Sequence, residues 1–237
     1  MDKQDVREQV WDELEDSGVA RFPYPPHDRI PNFAGAAEAA DLLAGTDAWD
    51  SADVVKANPD APQLPVRRAA LRAGKTLYVA VPRLRDRECF LRLSPSAVAD
   101  VEEATTVGGI ADAGVPVAPG DVPDVDLVVS GSVAVSTEGA RIGKGEGYSD
   151  LEFAILREAG AVGAWTTTAT TVHERQVFER PLPTTSLDVP MDLVVTPERT
   201  VRTDAAAERP AGLDWSALDA ERVAEIPVLE AFRSDGE

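Results

Sequence analysis

The stretch Val125–Asp150, VDLVVSGSVAVSTEGARIGKGEGYSD, predicts a buried strand, then a glycine-rich loop and the start of a helix. Its first apolar run lacks polar alternation, which is typical of a strand covered on both faces within a parallel sheet. Gly143, Gly145 and Gly147 then alternate over five positions, and the apolar pattern of LEFAILREAG indicates a helix after them. A strand that leads through a short loop into a helix is the repeating unit of α/β proteins. The stretch therefore predicts an α/β fold.

The same rhythm extends outward in both directions. The segments ADVVKA, TLYVAVP, VGAWTTT and DLVVTP predict further buried strands, with helical patterns between several of them. This alternation predicts one α/β domain over residues 1–237, with three layers and a mostly parallel sheet flanked by helices. Residues 205–237 are expected to form an acidic helical C-terminal extension, with helices over 215–223 and 227–232. In such a sheet, ligands bind at the carboxyl ends of the strands.

The net charge of the chain limits the kinds of partner that it is expected to bind. Acidic residues number 42 against 23 basic ones, which gives a net charge of -19. Such a surface disfavours general attraction to nucleic acid or to an anionic membrane. Lys3, Lys56, Lys75 and Lys144 are the only lysines, and this scarcity, together with the acidity, predicts adaptation to high salt. A GC-rich genome without salt adaptation is the alternative.

Two further features bear on the compartment. Cys89 is the only cysteine, so neither an intramolecular disulfide nor a thiolate metal cluster can form. No apolar run approaches the roughly 20 residues that span a bilayer. We therefore expect a cytoplasmic protein that does not bind membranes.

The glycine-rich loop has the composition of a phosphate site. Glycines allow positive φ angles and close approach of the backbone to a ligand, and the following helix offers its positive N-terminal end. Arg141 and Lys144 add positive charge. The spacing fits neither G-x-x-x-x-G-K-[ST] nor G-x-G-x-x-G. A glycine-rich tight turn between sheet and helix remains the alternative.

The segment Arg141–Asp150 resembles the R-[LI]-G-x-G-x-G-Y-Y-D loop of the 5-formyltetrahydrofolate cyclo-ligase family. Lys3 and Arg7 are similar to that family's K-x-x-x-R helix start, and Met191-Asp192-Leu193-Val194 to its late strand. The segments VVKANPDAPQ and RIGKGEGYSDLEFAIL resemble the methenyltetrahydrofolate synthetase domain-containing branch more closely. The resemblance covers roughly residues 1 to 200. It implies a cyclo-ligase-like fold, related in layout to sugar-phosphate isomerase and CoA-transferase-like folds.

The resemblance also implies a reaction and its residues. Family members use ATP and Mg²⁺ to cyclise 5-formyltetrahydrofolate to 5,10-methenyltetrahydrofolate, with release of ADP and phosphate. The implied partners are thus ATP and a reduced folate, bound by a monomer or small homo-oligomer. By similarity, Lys144 and Arg141 would be catalytic and Asp150 and Asp192 would bind Mg²⁺. The implied nucleotide contacts are Lys3, Arg7, Gly143, Gly145, Glu146, Gly147, Tyr148 and Ser149.

Several of these residues have plain structural alternatives. Lys3 and Arg7 could form an ordinary solvated helix face, Asp150 could be a helix N-cap, and Asp192 could be a strand-edge carboxylate. Two positions also depart from the family pattern. Ser149 stands where the family has a second tyrosine. The segment where cyclo-ligases carry a glutamate for the pterin reads NPDAPQ, so Asp60 is a weak substitute, with Lys56 a further weak candidate for substrate binding.

These departures leave other functions open. A non-catalytic or regulatory nucleotide-binding module of the same fold is one alternative. An enzyme related to sugar-phosphate isomerases or CoA-transferases is another, supported only by analogy of fold.

Overall fold

Strands and helices alternate along the computed structural model, which describes residues 1–203 and 208–233. The strands are β1 (Ala20–Arg21), β2 (Asn32–Phe33), β3 (Val54–Ala57), β4 (Thr76–Ala80), β5 (Phe90–Leu93), β6 (Val115–Val117), β7 (Leu127–Val129), β8 (Ala134–Ser136), β9 (Arg141–Ile142), β10 (Thr167–Thr171), β11 (Val177–Phe178), β12 (Leu193–Val195) and β13 (Thr200–Arg202). The α-helices are α1 (Lys3–Asp16), α2 (Ala36–Ala44), α3 (Asp47–Asp50), α4 (Leu64–Arg72), α5 (Val101–Ala104), α6 (Val107–Ala113), α7 (Tyr148–Glu158) and α8 (Ala220–Glu225).

The central sheet has eight strands in the order β13-β12-β10-β7-β3-β4-β5-β6. The five inner strands from β12 to β4 pair in parallel, while β13, β5 and β6 are antiparallel additions at the two sides. The inner strands are almost wholly buried, as their continuous apolar sequences predict. The predicted α/β class with a mostly parallel sheet is therefore confirmed.

Each face of this sheet carries its own hydrophobic core. On one side, Leu43 of α2 and Val66 of α4 pack with strand residues such as Val55 and Leu127. On the other side, Phe153 and its helical neighbours on α7 pack against the alternate residues of the same strands. Burying one such side chain fully contributes roughly 1.5–3 kcal/mol. The two cores give the three layers that the sequence predicts.

A small sheet with the order β11-β8-β9 holds the glycine-rich loop, because β9 leads directly into it. Helix α1 packs on this sheet through Val6, Val10, Trp11 and Leu14, which share a core with Ile142 of β9. The helix starts at a capping box, in which Asp2 accepts hydrogen bonds from the amides of Gln4 and Asp5. This packing fixes the first helix of the chain beside the loop.

The C-terminal segment, residues 208–233, is integrated into the core. It contains α8 and short helical turns at Trp215–Ala217 and Pro227–Phe232. Ile226, Val228 and Leu229 are buried with Phe153 of α7. The expected extension over 205–237 can be compared with the structure only over these residues, because 204–207 and 234–237 lie outside the described part. Over the described ranges, no helix combines the length and apolar composition that crossing a membrane requires.

Candidate functional site

A cavity of 280 Å³ opens at the carboxyl edge of the central sheet. The ends of three parallel strands line this cavity. Asn58 and Asp60 follow β3, Arg83 follows β4 and Gly131 follows β7. The glycine-rich loop, residues 143–147, and the first turn of α7 close the other side. Ligand sites of open parallel sheets lie at this edge.

The loop itself requires glycine. Gly145 has a φ of +113° and Gly147 a φ of +71°, conformations that other residues rarely adopt. Gly147 is also the N-cap of α7, and no side chain caps that end of the helix. The first amides of α7 are thus available to a ligand at the positive end of the helix, the arrangement that favours anions.

Arg141 supplies a buried cation beneath the loop. It is 3% exposed and lines the cavity. Its Nη1 donates to the carbonyl of Gly131 at 2.7 Å and its Nη2 to Oδ2 of Asp150 at 2.7 Å. Its Nε is buried and has no hydrogen-bond partner among the described residues. Because an unsatisfied buried donor costs about 1–3 kcal/mol, this guanidinium fits a site that receives a further acceptor.

Three more predicted cations lie around the loop. Arg7 donates from Nε to the carbonyl of Gly143 at 2.8 Å, and burial lowers its pKa from the ordinary value. Lys144 lines the cavity and its Nζ lies 2.8 Å from Oε2 of Glu146. Lys3 lies in an adjoining groove, where its Nζ contacts Asp188 at 2.5 Å. The structure thus brings Arg7 and Lys144 to the loop and places Lys3 beside it.

Asp150 is the predicted metal ligand that does lie at the cavity. It occupies the first turn of α7, whose N-cap is Gly147, so Asp150 is not the N-cap. Its Oδ1 accepts from the amide of Val189 at 3.0 Å and its Oδ2 from Arg141. Over residues 1–203 and 208–233, no group of three or more His, Cys, Asp or Glu forms a metal cage. A Mg²⁺ ion here would take most ligands from phosphates and water, as Mg²⁺ commonly does.

Asp192 lies at the opposite edge of the sheet. It immediately precedes β12, whereas the cavity lies at the carboxyl ends of the parallel strands. Its Oδ2 accepts from the amide of Thr168 at 2.7 Å and pairs with Arg209. The expectation that both aspartates bind Mg²⁺ is therefore corrected for Asp192, which lies away from the cavity that Asp150 lines. Asp192 instead anchors the C-terminal segment, consistent with its alternative as a strand-edge carboxylate.

We expect Asp192→Asn to lower the free energy of unfolding by about 1–3 kcal/mol, because it removes the charge that holds Arg209. Its affinity for ATP and for Mg²⁺ should match that of the natural chain. Urea unfolding and calorimetric titration measure the two quantities, with Asp124→Asn, at an exposed position, as the control for charge. Loss of Mg²⁺ dependence with unchanged stability would contradict this assignment.

Below the cavity lies a buried ion pair that the sequence analysis missed. Lys56 is 1% exposed and its Nζ contacts Oε2 of Glu152, a residue of α7 that is 5% exposed. Asn58 donates to the same carboxylate oxygen at 3.2 Å. Lys56 therefore binds Glu152 and does not line the cavity, which corrects its assignment as a substrate-binding candidate. Glu152 does line the cavity, and its Oε1 makes no hydrogen bond within the described residues.

A sequence signal for this pair existed. Lys56 interrupts the apolar strand ADVVKA and Glu152 interrupts the apolar run LEFAIL. A charge at a buried position requires an opposite charge. Two such interruptions of opposite sign could have been matched.

The turn Asn58–Asp60 is held from below. Arg67 of α4 donates to the carbonyl of Asn58 at 2.6 Å and to that of Asp60 at 2.9 Å, and burial lowers the pKa of Arg67 to about 10. The carboxylate of Asp60 lines the cavity. Burial raises its pKa, while the charge of Lys144 opposes the increase. The cavity is thus lined by two carboxylates, Asp60 and Glu152, as well as by the cations Arg141 and Lys144.

The raised pKa of Asp60 has a consequence for stability. Below the ordinary pKa of 3.8 the side chain is protonated in both the folded and the unfolded chain, and the cost of burying its charge is absent. As the pH rises from 3.8 towards the higher folded-state pKa, that cost grows, and above the folded-state pKa it is complete. We therefore expect ligand-free Asp60→Asn to be more stable than the natural chain at neutral pH, with a difference that shrinks as the pH falls.

Urea unfolding of both chains between about pH 4 and pH 8 measures this difference. Asp124→Asn makes the same change of charge at an exposed position. A difference that stays constant over this range would contradict the prediction, as would a natural chain that is the more stable at neutral pH.

Ser149 occupies the position of the family's second tyrosine. Its hydroxyl donates to Oδ1 of Asn58 at 3.2 Å, and Asn58 Oδ1 also accepts from the amide of Gly131 at 3.1 Å. The serine therefore connects the first turn of α7 to the ends of β3 and β7. This contact fixes the shape of the cavity floor.

A second groove, of 450 Å³, lies on the other side of the first turn of α7. It shares Glu146, Gly147 and Asp150 with the cavity. Its remaining walls come from α7, from Lys3 of α1, from the segment 185–188 and from the C-terminal segment. The N-terminal end of α7 thus separates two adjoining spaces.

The parallel sheet and the loop at its carboxyl edge define an α/β protein with an anion-accepting ligand site. The sequence model of the 5-formyltetrahydrofolate cyclo-ligase family matches residues 2–197, and the chain belongs to that family. The family predicted from the loop motif is thereby confirmed.

Individual relatives agree with this membership. The chain is 42% identical over 241 residues to a methenyltetrahydrofolate synthase domain-containing protein of Bos taurus, covering 99% of this chain and 63% of the bovine protein. The protein with the same description from Homo sapiens is 39% identical over 236 residues, covering 98% of this chain and 61% of the human protein. The chain thus spans about three fifths of the length of these relatives.

A solved structure supports the fold. The 5,10-methenyltetrahydrofolate synthetase of Aquifex aeolicus superimposes with a TM-score of 0.55 at 21% identity. The superposition covers 90% of this chain and 97% of that one. At this identity the similarity establishes a shared architecture.

Proposed function

We propose that the protein is an ATP-dependent ligase that cyclises 5-formyltetrahydrofolate to 5,10-methenyltetrahydrofolate and releases ADP and phosphate. One observation carries the proposal: a single cavity is lined both by a loop suited to anions and by two carboxylates. The loop and Arg141 suit phosphates. Asp60 and Glu152 suit the amino and ring N–H donors of a pterin. ATP and a reduced folate together supply both kinds of group: phosphates for the cations and N–H donors for the carboxylates.

The chemistry mainly needs positioning and neutralisation of charge. The formyl oxygen attacks the terminal phosphorus of ATP and ADP leaves. N10 of the folate then attacks the activated formyl carbon, and loss of phosphate and of the N10 proton gives the methenyl product. Lys144 lies at the cavity where the transferred phosphoryl group would pass, and Arg141 supports the loop from below. Mg²⁺ bound with the phosphates would neutralise their charge, and Asp150 would hold it.

A spectroscopic assay tests the proposal. The full chain, supplied with ATP, Mg²⁺ and 5-formyltetrahydrofolate, should generate the near-ultraviolet absorbance of the methenyl product. Reactions without ATP or without protein are the controls. No absorbance under conditions in which a known cyclo-ligase is active, tested at low and at high salt, would refute the proposed activity.

A non-catalytic nucleotide-binding module is the second candidate. It is favoured by Ser149, whose hydroxyl is directed to Asn58 and Ser130 where the family has a tyrosine. Calorimetry separates the two functions, because a module binds ATP without binding 5-formyltetrahydrofolate. Membership of the cyclo-ligase family favours both over an isomerase or CoA-transferase relative.

A further inference from the structure

The C-terminal segment runs beside α7 in the reverse direction and reaches the glycine-rich loop at α8. At the amino edge of the sheet, Arg209 donates to the carbonyl of Thr166 at 2.7 Å. Further along, the amide of Leu213 donates to Oε2 of Glu158, the last residue of α7, at 3.1 Å. Arg222 of α8 then reaches the loop at the N-terminal end of α7. The segment therefore connects one edge of the sheet to the other.

Arg222 makes two contacts with the loop. Its guanidinium carbon lies 4.0 Å from the ring centroid of Tyr148, and its Nη2 donates to the carbonyl of Glu146 at 2.7 Å. Its own backbone amide is bound by Oδ1 of Asp219, the N-cap of α8. Stacking on an aromatic ring leaves the edge of a guanidinium free to donate further hydrogen bonds. Arg222 is thus held in place, and its guanidinium has further N–H groups that can donate to a ligand.

Among the described residues, the charge of Arg222 is also not paired with a carboxylate. No carboxylate lies within 4.0 Å of its guanidinium over residues 1–203 and 208–233. Lys3 and Lys144, by contrast, each contact an acidic side chain. In a chain with 42 acidic and 23 basic residues, an uncompensated cation against an anion-accepting loop is a second observation that favours an anionic ligand.

The groove beside Arg222 fits the remainder of such a ligand. Lys3 and Arg222 line it, and Leu151, Leu213 and Leu218 give it an apolar wall. Four aspartates and Glu146 also line it, and each is already bonded: Asp188 to Lys3, Asp214 to the amide of Ser216, Asp219 to the amide of Arg222, Asp150 to Arg141 and Glu146 to Lys144. A planar base against the leucines would leave its phosphates toward the loop.

We propose that Arg222 contacts the phosphates of the bound nucleotide and that the C-terminal segment forms the wall against which the base packs. Residues 208–233 lie beyond the family match, which ends at residue 197, so this part of the site belongs to the C-terminal segment. The inference rests on the proposed use of a nucleoside triphosphate. It adds a residue and a wall that the loop motif does not supply.

The test uses ATP as the probe and the full chain. Titration calorimetry should show ATP binding to Arg222→Met weakened by about tenfold to a hundredfold at low salt, the usual effect of losing a charged hydrogen bond. Arg222→Lys should be intermediate. The difference between Arg222→Met and the natural chain should shrink at high salt, because salt screens a half-exposed charge. In the product-absorbance assay the KM for ATP should rise while the KM for the folate stays constant.

Arg87→Met is the matched control. Arg87 pairs with Glu230 of the same segment, away from the groove. The substitution Arg87→Met should therefore leave ATP binding unchanged. Equal ATP affinity of Arg222→Met and the natural chain would overturn the role of Arg222. A loss of ATP affinity that stays the same at every salt concentration would also overturn it, since that result indicates that Arg222 only holds the segment in place. If the natural chain binds no ATP, the proposed function itself fails.

Discussion

Replacing Lys144 with methionine is expected to lower kcat for methenyl product formation by about 10²–10³-fold, the usual cost of removing one donor from a developing negative charge. Lys144 lies on the glycine-rich loop and lines the cavity, and in the proposed reaction its ammonium would neutralise the transferred phosphoryl group. The KM for the folate should change little, because a charge that acts in the transition state contributes less to binding of the ground state. Initial rates from product absorbance measure both constants.

The neighbouring carboxylate provides the control. Glu146 holds Lys144 at 2.8 Å in the ligand-free structure, so Glu146→Gln releases the ammonium without removing it. This variant should retain kcat within a few-fold. A loss in Lys144→Met that appears only in KM would contradict a catalytic role, and urea unfolding of both variants shows whether the fold is intact.

The second large effect concerns stability. Lys56→Met should lower the free energy of unfolding by about 3–5 kcal/mol, because it leaves the buried carboxylate of Glu152 without its cation. The double variant Lys56→Met/Glu152→Gln removes both charges and keeps an acceptor for Asn58. It should recover most of the loss. Urea unfolding of the two single variants and the double variant forms a double-mutant cycle.

Simple addition of the two single effects in the double variant would contradict this account. Arg67→Met is the comparison for an unpaired buried cation, since Arg67 bonds only to backbone carbonyls in the described residues. The stability that Arg67→Met loses should not be recovered when Glu152→Gln is added. The difference between Lys56→Met and Arg67→Met distinguishes a specific ion pair from a general loss of stability when any buried cation is removed.

The sequence was most informative where a structure depends on neighbours in the chain. The inner strands follow from continuous apolar runs, and the loop follows from the alternation of Gly143, Gly145 and Gly147 before a helix. The placement of α1 beside the loop was implied only by the family resemblance. These features depend on backbone sterics and on burial of one helix face, both of which leave a local pattern.

Features that depend on pairing across the fold were missed or misplaced. The contact of Lys56 with Glu152 joins residues 96 positions apart, and although each charge interrupts an apolar run, neither run specifies the distant partner. Asp192 was assigned from its motif, although a residue that opens a parallel strand lies at the edge away from the site. The course of the C-terminal segment depends on which surface of α7 it buries, which its own sequence does not specify.

The glycine-rich loop is held by two residues from distant parts of the chain, Arg7 near the start and Arg222 near the end. Their contacts span 136 and 76 positions, so each brings together distant parts of the chain and carries a cost in loop-closure entropy. A folding intermediate in which either segment has not docked therefore has an incomplete loop. A ligand of the loop would bind only the fully assembled chain, and its binding free energy would add to the stability of that state alone.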